Sequence, residues 1–401
     1  MLDFDSARDQ LIAAAQPLPH SETVPLVEGL GRILSSSITS PIDVPGFDNS
    51  AMDGYAISIY DVNKIPDRLP VVQRIAAGQT GKPLGSNEAA RIFTGAPVPQ
   101  GATVIVPQEH TEAVDEHIRL TQPVTTSQHI RRRGEDIEAG AAIIHAGTRL
   151  TPAHLALAAS VGVSKLKVFA KLKVAILFTG DELTEPGQPL APGAIYNSNR
   201  YAIRALLEKL GCQIEDLGII RDSAQATRDA LQQASIVSDV ILTCGGVSVG
   251  EEDHVKAAVQ ALGQLNLWQI AMKPGKPLAY GKVGQADFIG LPGNPVSAFV
   301  TFVLMARPFL LKRMGLANLD MHAIPAIAGF DWLKPDRRRE FLRAGFDRDP
   351  RGASILKIWP NQGSGVMSSV AWADGLVDVP PNKVIRQGDT VNFIPFSDLM
   401  G

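Results

Sequence analysis

Cysteine is nearly absent from this 401-residue chain: Cys212 and Cys244 are the two present, and no Cys-x-x-Cys pair occurs. That excludes a disulfide framework and a structural zinc knuckle, and it suits a reducing compartment, so a cytoplasmic location is expected. An excess of either charge is missing as well, since 38 Lys and Arg stand against 41 Asp and Glu for a net −3. Such a balanced chain has no broad field for gripping a nucleic acid backbone or an anionic membrane, and any anion must be held by a few placed residues. Long hydrophobic runs are missing too. The most apolar stretch, Val296 to Ala306, stops at Arg307, too short to cross a bilayer. The acidic start Met-Leu-Asp-Phe-Asp is unlike the basic opening of a signal peptide, so neither a membrane segment nor export is expected. Walker A and GxGxxG spacings do not occur, which weakens the ordinary nucleotide-binding readings.

What is present is the composition of a globular chain, 45% hydrophobic and 20% charged, and the length predicts two or three domains at ~150 residues each. Two helix-like patterns open it: Leu11, Ile12 and Ala15 behind Ser6, then Leu26, Leu30, Ile33 and Leu34, interrupted by Gly29 and Gly31. From Pro41 to Asp136 short strand-like runs dominate: Val71 to Ile75, Arg91 to Phe93, Thr103 to Val106 and His117 to Leu120. Thr151-Pro152 then reads as a cap and first residue of a helix over Ala153 to Val161.

From Lys171 strands and helices alternate. Strands are predicted at Val174 to Phe178, Gln213 to Ile219, Val240 to Thr243, Leu267 to Ala271, Pro277 to Tyr280 and Phe288 to Gly290. Helices are predicted at Arg200 to Leu210 behind an Asn199 cap, Gln225 to Ala234, Glu252 to Leu262, and from Pro295 onward. This order predicts a doubly wound, largely parallel α/β sheet over residues 171 to about 320, followed by a small β domain that includes Ala353 to Ile358 and Asp389 to Ile394.

Ligands of such a sheet bind at the carboxyl ends of its strands. Four loops follow those ends: Thr179-Gly180-Asp181-Glu182, Arg221-Asp222-Ser223, Gly245-Gly246 through Asp253, and Leu291-Pro292-Gly293-Asn294-Pro295. Any one of them is an ordinary turn; four on one rim form a candidate site. Gly245 and Gly246 permit positive φ and close backbone approach, and Ser248 with the following amides can receive an anion. Gly293-Asn294-Pro295 reads as turn, cap and first helical residue. Lys273-Pro274-Gly275-Lys276-Pro277 holds two lysines in a stiffened loop suited to an oxyanion. Asp181, Glu182, Asp222 and Asp253 offer hard oxygens suited to magnesium beside phosphates.

Gly246-Val247-Ser248-Val249-Gly250 also matches a serine-hydrolase elbow, but Glu251, Glu252 and Asp253 put like charge where an oxyanion would develop. The β region carries polar loops at Pro45 to Tyr55, Arg91 to Pro97 and Arg131 to Asp136, each either a structural turn or a binding segment. Arg337 to Arg339 has the same two readings. No histidine shows metal-ligand spacing, and Cys244 reads as a small buried hydrophobe.

Together these segments resemble the molybdopterin molybdenumtransferase family, bacterial MoeA and the E domain of gephyrin. The matching stretches are PGFDNSAMDGYA at 45–56, RIFTGAPVP at 91–99, IRRRGEDI at 130–137, TGDEL at 179–183, GIIRD at 218–222, GGVSVGEED at 245–253, KPGKP at 273–277 and LPGNPVSA at 291–298. The resemblance implies a multidomain α/β and β protein. Its parts would be a central doubly wound domain of molybdopterin-binding type at 171–320, a mostly β insertion at 45–137, a small linking and dimerisation domain from 1–44 with 138–170, and a C-terminal β domain at 321–401.

It also implies a magnesium-dependent reaction of adenylylated molybdopterin with molybdate that releases AMP. An elongated homodimer with its site between subunits follows from the same resemblance, as does transient contact with the molybdopterin adenylyltransferase. Carried over by position, the functional acids are Asp53, Asp136, Glu182, Asp222 and Asp253, with Asp222 and Asp253 on magnesium. Thr94 and Arg131 join from the insertion. Thr179, Gly180, Gly245, Gly246, Ser248, Lys273, Lys276 and Pro292 through Pro295 line the substrate, with Arg343 and Ser364 from the last domain. Two positions depart from the family pattern: His254 where tyrosine is common, and Gly365 where histidine is common. Adenylylation of molybdopterin and a non-enzymatic scaffold are the alternative readings.

Overall fold

The computed structural model describes residues 1–61, 63–246 and 254–400. Its central unit runs β1 (Lys173–Thr179), α1 (Ser198–Leu210), β2 (Gln213–Ile220), α2 (Ala224–Val237), β3 (Val240–Cys244), α3 (His254–Leu262), β4 (Gly263–Gln269), β5 (Pro277–Val283) and β6 (Ala286–Leu291). The sheet order is β2-β1-β3-β6-β5-β4. The first four strands are parallel, and β5 and β4 return antiparallel.

Strands covered on both faces need continuous apolar sequence, and β1 shows why. Alternate residues point to opposite faces: Val174, Ile176 and Phe178 pack with Ile203, Leu207 and Phe309, while Ala175 and Leu177 pack with Leu231, Val255 and Val259. The helix Pro295–Arg313 has a mean hydropathy of 1.4, and 83% of it is buried inside the molecule. It is longer than its apolar stretch suggested, and it is a core helix here. Its middle turn, Phe302–Ala306, widens to π geometry just before Pro308, which lacks an N–H and would crowd the carbonyl one turn back.

The first helix, Phe4–Ala14, starts at an Asp3 cap that accepts from the Ser6 amide at 2.9 Å. It leaves the linking unit that residues 1–44 were expected to build. Phe4, Ala7 and Leu11 join the central core, Phe4 meets Phe341 with ring centroids 5.0 Å apart, and Asp5 pairs with Arg339 at 2.8 Å. The second expected helix does not form. Strand Ser21–Pro25 pairs with Lys165–Phe169, and Leu26–Glu28 is a single 3-10 turn. A Cβ at Gly29 would lie 2.4 Å from Leu166, and Gly31 sits at φ +74°, so the chain turns where periodicity alone suggested continuation. Residues 21–39 and 142–169 share one core around Val24, Leu34, Ile144, Leu150 and Leu166. Its helix Pro152–Ser160 carries the expected Thr151 cap, reciprocated by His154.

The insertion folds as a six-stranded sheet in the order Val104–Pro107, Gly54–Ile57, Ala89–Ile92, Leu69–Ile75, His117–Leu120, Thr111–Val114. The last domain's sheet is built on the long strand Arg339–Arg348. Its edge is supplied by Met272–Lys273 from the central unit, in parallel register with Lys273 beside Glu340.

Candidate active site

Because β1, β2, β3 and β6 are parallel, their following loops all leave from one edge. The chain departs from β1 toward β2 on one side and toward β3 on the other, which makes this the switch point where open α/β sheets bind ligands. A cavity of about 640 Å³ opens there. From the rim it takes Thr179, Glu182, Gly245, Pro292, Gly293, Asn294 and Pro295; from the lysine loop Lys273 and Lys276; from the last domain Arg338 and Ser364.

Gly180, Gly246 and Asp222 stand on the same rim outside the lining. At Gly246, φ is +63° and a Cβ would lie 2.6 Å from Val255, so this close turn admits no side chain. The Asp222 amide donates to Asp181 Oδ1 at 3.3 Å, which ties the two loops together on the rim. Among the described residues no group of three or more His, Cys, Asp or Glu is arranged to hold a metal. Ser248 and Asp253 lie outside the described residues, as does the hydrolase-like elbow. Cys244 ends β3, and burial pushes its thiol up to about 12, in keeping with an inert core residue.

Helix α1 is capped by Asn197, whose Oδ1 accepts from the Arg200 amide at 3.2 Å, and not by Asn199. Asn199 instead donates from Nδ2 to the Gly293 carbonyl at 2.7 Å, tying the helix start to the neighbouring loop. Asn294 occupies the cap position of the core helix without a side-chain cap bond.

The two lysines differ. Lys273 Nζ lies 3.0 Å from Glu340 Oε1 and 3.6 Å from Asp336 Oδ2. Glu340 is 1% exposed, and its other oxygen accepts from Trp332 Nε1 at 2.8 Å and the Asp336 amide at 2.9 Å. Asp336 in turn receives a two-pronged contact from Arg338 at 3.0 and 2.7 Å, which holds its carboxyl well below the usual range. Lys276 is exposed in the cavity wall and has no acidic partner among the described residues.

Arg343 departs from its expected place. It is 1% exposed and donates to Ser369 Oγ at 3.1 Å and to the carbonyls of Gly363 and Phe341 at 3.3 and 3.4 Å. Burial pulls its guanidinium down to about 10. It lies behind the wall and braces the turn that presents Ser364, whose carbonyl accepts from the Val296 amide at 2.9 Å.

The insertion's candidate residues stand apart from the cavity. Asp53 Oδ1 accepts from the Thr94 amide at 2.8 Å and from its hydroxyl at 2.9 Å, which lowers its pKa. Arg131 pairs across from Asn49, and the Asp136 amide donates to Val44 at 3.0 Å. None of the four lines the cavity. Sequence reasoning missed Asn197, Asp336 and Glu340 and left Arg338 open. The signal for Asn197 was its position three residues before Arg200.

Comparison with known proteins accounts for the whole molecule. Residues 2–162 match the MoeA N-terminal region (domain I and II), residues 175–312 a probable molybdopterin binding domain, and residues 325–396 the MoeA C-terminal region (domain IV). The molybdopterin molybdenumtransferase of Haemophilus influenzae is 38% identical over 404 residues, covering 100% of both chains. Molybdopterin molybdenumtransferase 2 of Mycobacterium tuberculosis is 36% identical over 386 residues, 94% of each chain. The crystal structure of the molybdopterin biosynthesis moeA protein from Pyrococcus horikoshii OT3 superposes with a TM-score of 0.86 at 27% identity, covering 98% of this chain and 100% of that one. With full-length identity at this level and one fold throughout, the chain belongs to the molybdopterin molybdenumtransferase (MoeA) family.

Proposed function

We propose that the protein inserts molybdate into adenylylated molybdopterin with magnesium-dependent release of AMP. The observation that carries this reading is the single cavity that joins the carboxyl ends of the parallel strands to a lysine loop and the last domain. A phosphate-bearing pterin and a tetrahedral dianion need such a mixture: backbone amides and hydroxyls for oxygens, fixed cations for charge, and space for both. Lys276 supplies a positive charge that no described acid pairs with, while Lys273 and Arg338 are held in place by Glu340 and Asp336. Cations pre-positioned in this way stabilise charge that develops as the phosphoanhydride breaks.

The rim carboxylates have the chemistry magnesium takes, since Asp181 and Asp222 are hard oxygen donors on adjoining loops tied by the Asp222 amide. Asp222, with Asp253, would hold the ion, which supplies positive charge against phosphate oxygens when bound. The group around Asp53, Thr94, Arg131 and Asp136 stands apart from the cavity within one chain, which supports a homodimer whose second subunit completes the site. Two free cysteines support cytoplasmic action, where the adenylyltransferase would hand over its product.

Purified protein given adenylylated molybdopterin, molybdate and magnesium should release AMP only when molybdate is present. Turnover that instead requires ATP and free molybdopterin would establish the adenylyltransferase, and binding without turnover would leave the scaffold.

A further inference from the structure

The start of α1 carries a donor that the helix does not need. Asn197 caps the helix through Oδ1, and its own backbone amide donates to the Thr184 carbonyl at 2.9 Å. What remains is the side-chain Nδ2. It is shielded from solvent and has no hydrogen-bond partner among the described residues, in a residue 2% exposed that lines the cavity. A buried donor left unpaired costs stability. Capping does not require it, because serine, threonine or aspartate would cap equally well. The other helices with side-chain caps use Asp3, Thr151 and Ser223, and none of these leaves an orphaned polar atom.

The surroundings favour an anionic partner. α1 has 13 residues, and its first-turn amides lack intrahelical acceptors at the positive end of the helix dipole. Ser198 and Asn199 follow Asn197 along the same cavity wall. Asn199 is committed to Gly293, so the helix start is fixed against the rim and the Asn197 donor is presented at a set position. The nearest carboxylate along the connecting segment, Glu185, is neutralised by Arg200 at 2.9 Å. Glu182, the acid in the lining, has its carboxylate folded over Gly180, where a Cβ would lie 2.5 Å from Oε2. Lys276 and Arg338 line the same cavity.

We propose that the N-terminus of α1 is a phosphate-binding subsite of this cavity, in which Asn197 Nδ2 and the first-turn amides grip a phosphate oxygen of the substrate. The proposed reaction supplies the substrate's identity, and the inference rests on it to that extent. Two phosphate sources fit, the pterin's own phosphate ester and the nucleotide.

The test is calorimetric titration of the full chain with AMP and, separately, with the monophosphate of hydroxymethylpterin, using wild type, Asn197→Asp and Asn197→Ser. Both substitutions keep a capping oxygen and remove the donor, so melting temperatures should stay close to wild type. Asn197→Asp should weaken at least one ester about tenfold or more, and Asn197→Ser should weaken the same one severalfold. The ester affected identifies the source. Unchanged affinity for both esters in a well-folded variant overturns the subsite, as does a wild type that binds neither. If Asn197→Asp fails to fold, Asn197→Ser decides the matter alone. Binding is read separately from AMP release: ester affinity lost in the variants of a wild type that never releases AMP sinks the reaction and keeps the subsite, and the converse result does the reverse.

Discussion

The cavity of the central unit and the acidic group of the insertion are both assembled from loops, yet they are built on opposite principles. Around the cavity, residues far apart in sequence converge because parallel strands deliver their loops to one edge. The last domain is then stitched on through the Met272–Lys273 strand. In the insertion, Asp53, Thr94, Arg131 and Asp136 are held by local turns and a short strand pair, and no described residue of the cavity is among their partners. Of the candidate acids, Glu182 lines the cavity whereas Asp53 and Asp136 do not, and among the described residues neither region gathers three His, Cys, Asp or Glu to hold a metal. Under the proposed homodimer, the insertion of one copy completes the cavity of the other.

The largest effect should come from separating the two regions onto different subunits. As pure proteins, Asp53→Asn should abolish AMP release and Lys276→Ala should cut it about 100-fold at limiting molybdate. Randomly mixed and reassembled, half the dimers would pair one variant with the other and carry one intact site of two, so about one quarter of wild-type activity should return. No recovery on mixing, with dimers confirmed by mass, would place both regions in the service of one chain's site.

Within the cavity, the two lysines of one loop separate charge for binding from charge for structure. Lys276→Ala removes the cation that has no acidic partner among the described residues and should lower kcat/KM for molybdate about 100-fold, as expected for loss of a charge-assisted contact in a confined site, with melting unchanged. Lys273→Met should do less to molybdate dependence and more to the fold. It leaves Glu340, 1% exposed, without its cation, a loss of about 1–3 kcal/mol once the half-exposure of the lysine is discounted. Glu340→Gln in the same background should restore part of that loss. A Lys273→Met protein that melts like wild type would show that the pairing across the domain junction is incidental.

That contrast also marks how far sequence reaches. The β1 run from Val174 to Phe178 announced a doubly covered strand, and once the strands are parallel their loops must share an edge, so the rim was legible before any coordinates. The junction was not. Lys273 and Glu340 meet only because a two-residue strand joins another domain's sheet, and no local pattern encodes that register. Arg343 had the right chemistry for an oxyanion, but burial turned it to Gly363 and Ser369. Leu26 to Leu34 carried helical spacing, and tight packing at Gly29 overrode it. Asn197 and Asn199 are equivalent as residue types; only the three-residue span to Arg200 decides which one caps and which one bridges to Gly293.

The smallest effect tests whether the insertion's acid is tuned in place. Asp53 receives two hydrogen bonds from Thr94, one from the amide and one from the hydroxyl, and both favour its charged form, so its pKa lies below the ordinary value. A depressed carboxyl stays ionised as pH falls past the ordinary carboxylate value and protonates only on reaching its own lower one. Thr94→Val removes the hydroxyl and keeps the amide. The Asp53 pKa should therefore move part of the way back up, followed by carboxyl NMR, and the acid limb of the AMP-release profile should move to higher pH with it, while the plateau at neutral pH changes little. If the NMR pKa rises and the acid limb stays fixed, Asp53 does not need its charge for turnover, and the insertion's contribution would pass to Arg131 and Asp136.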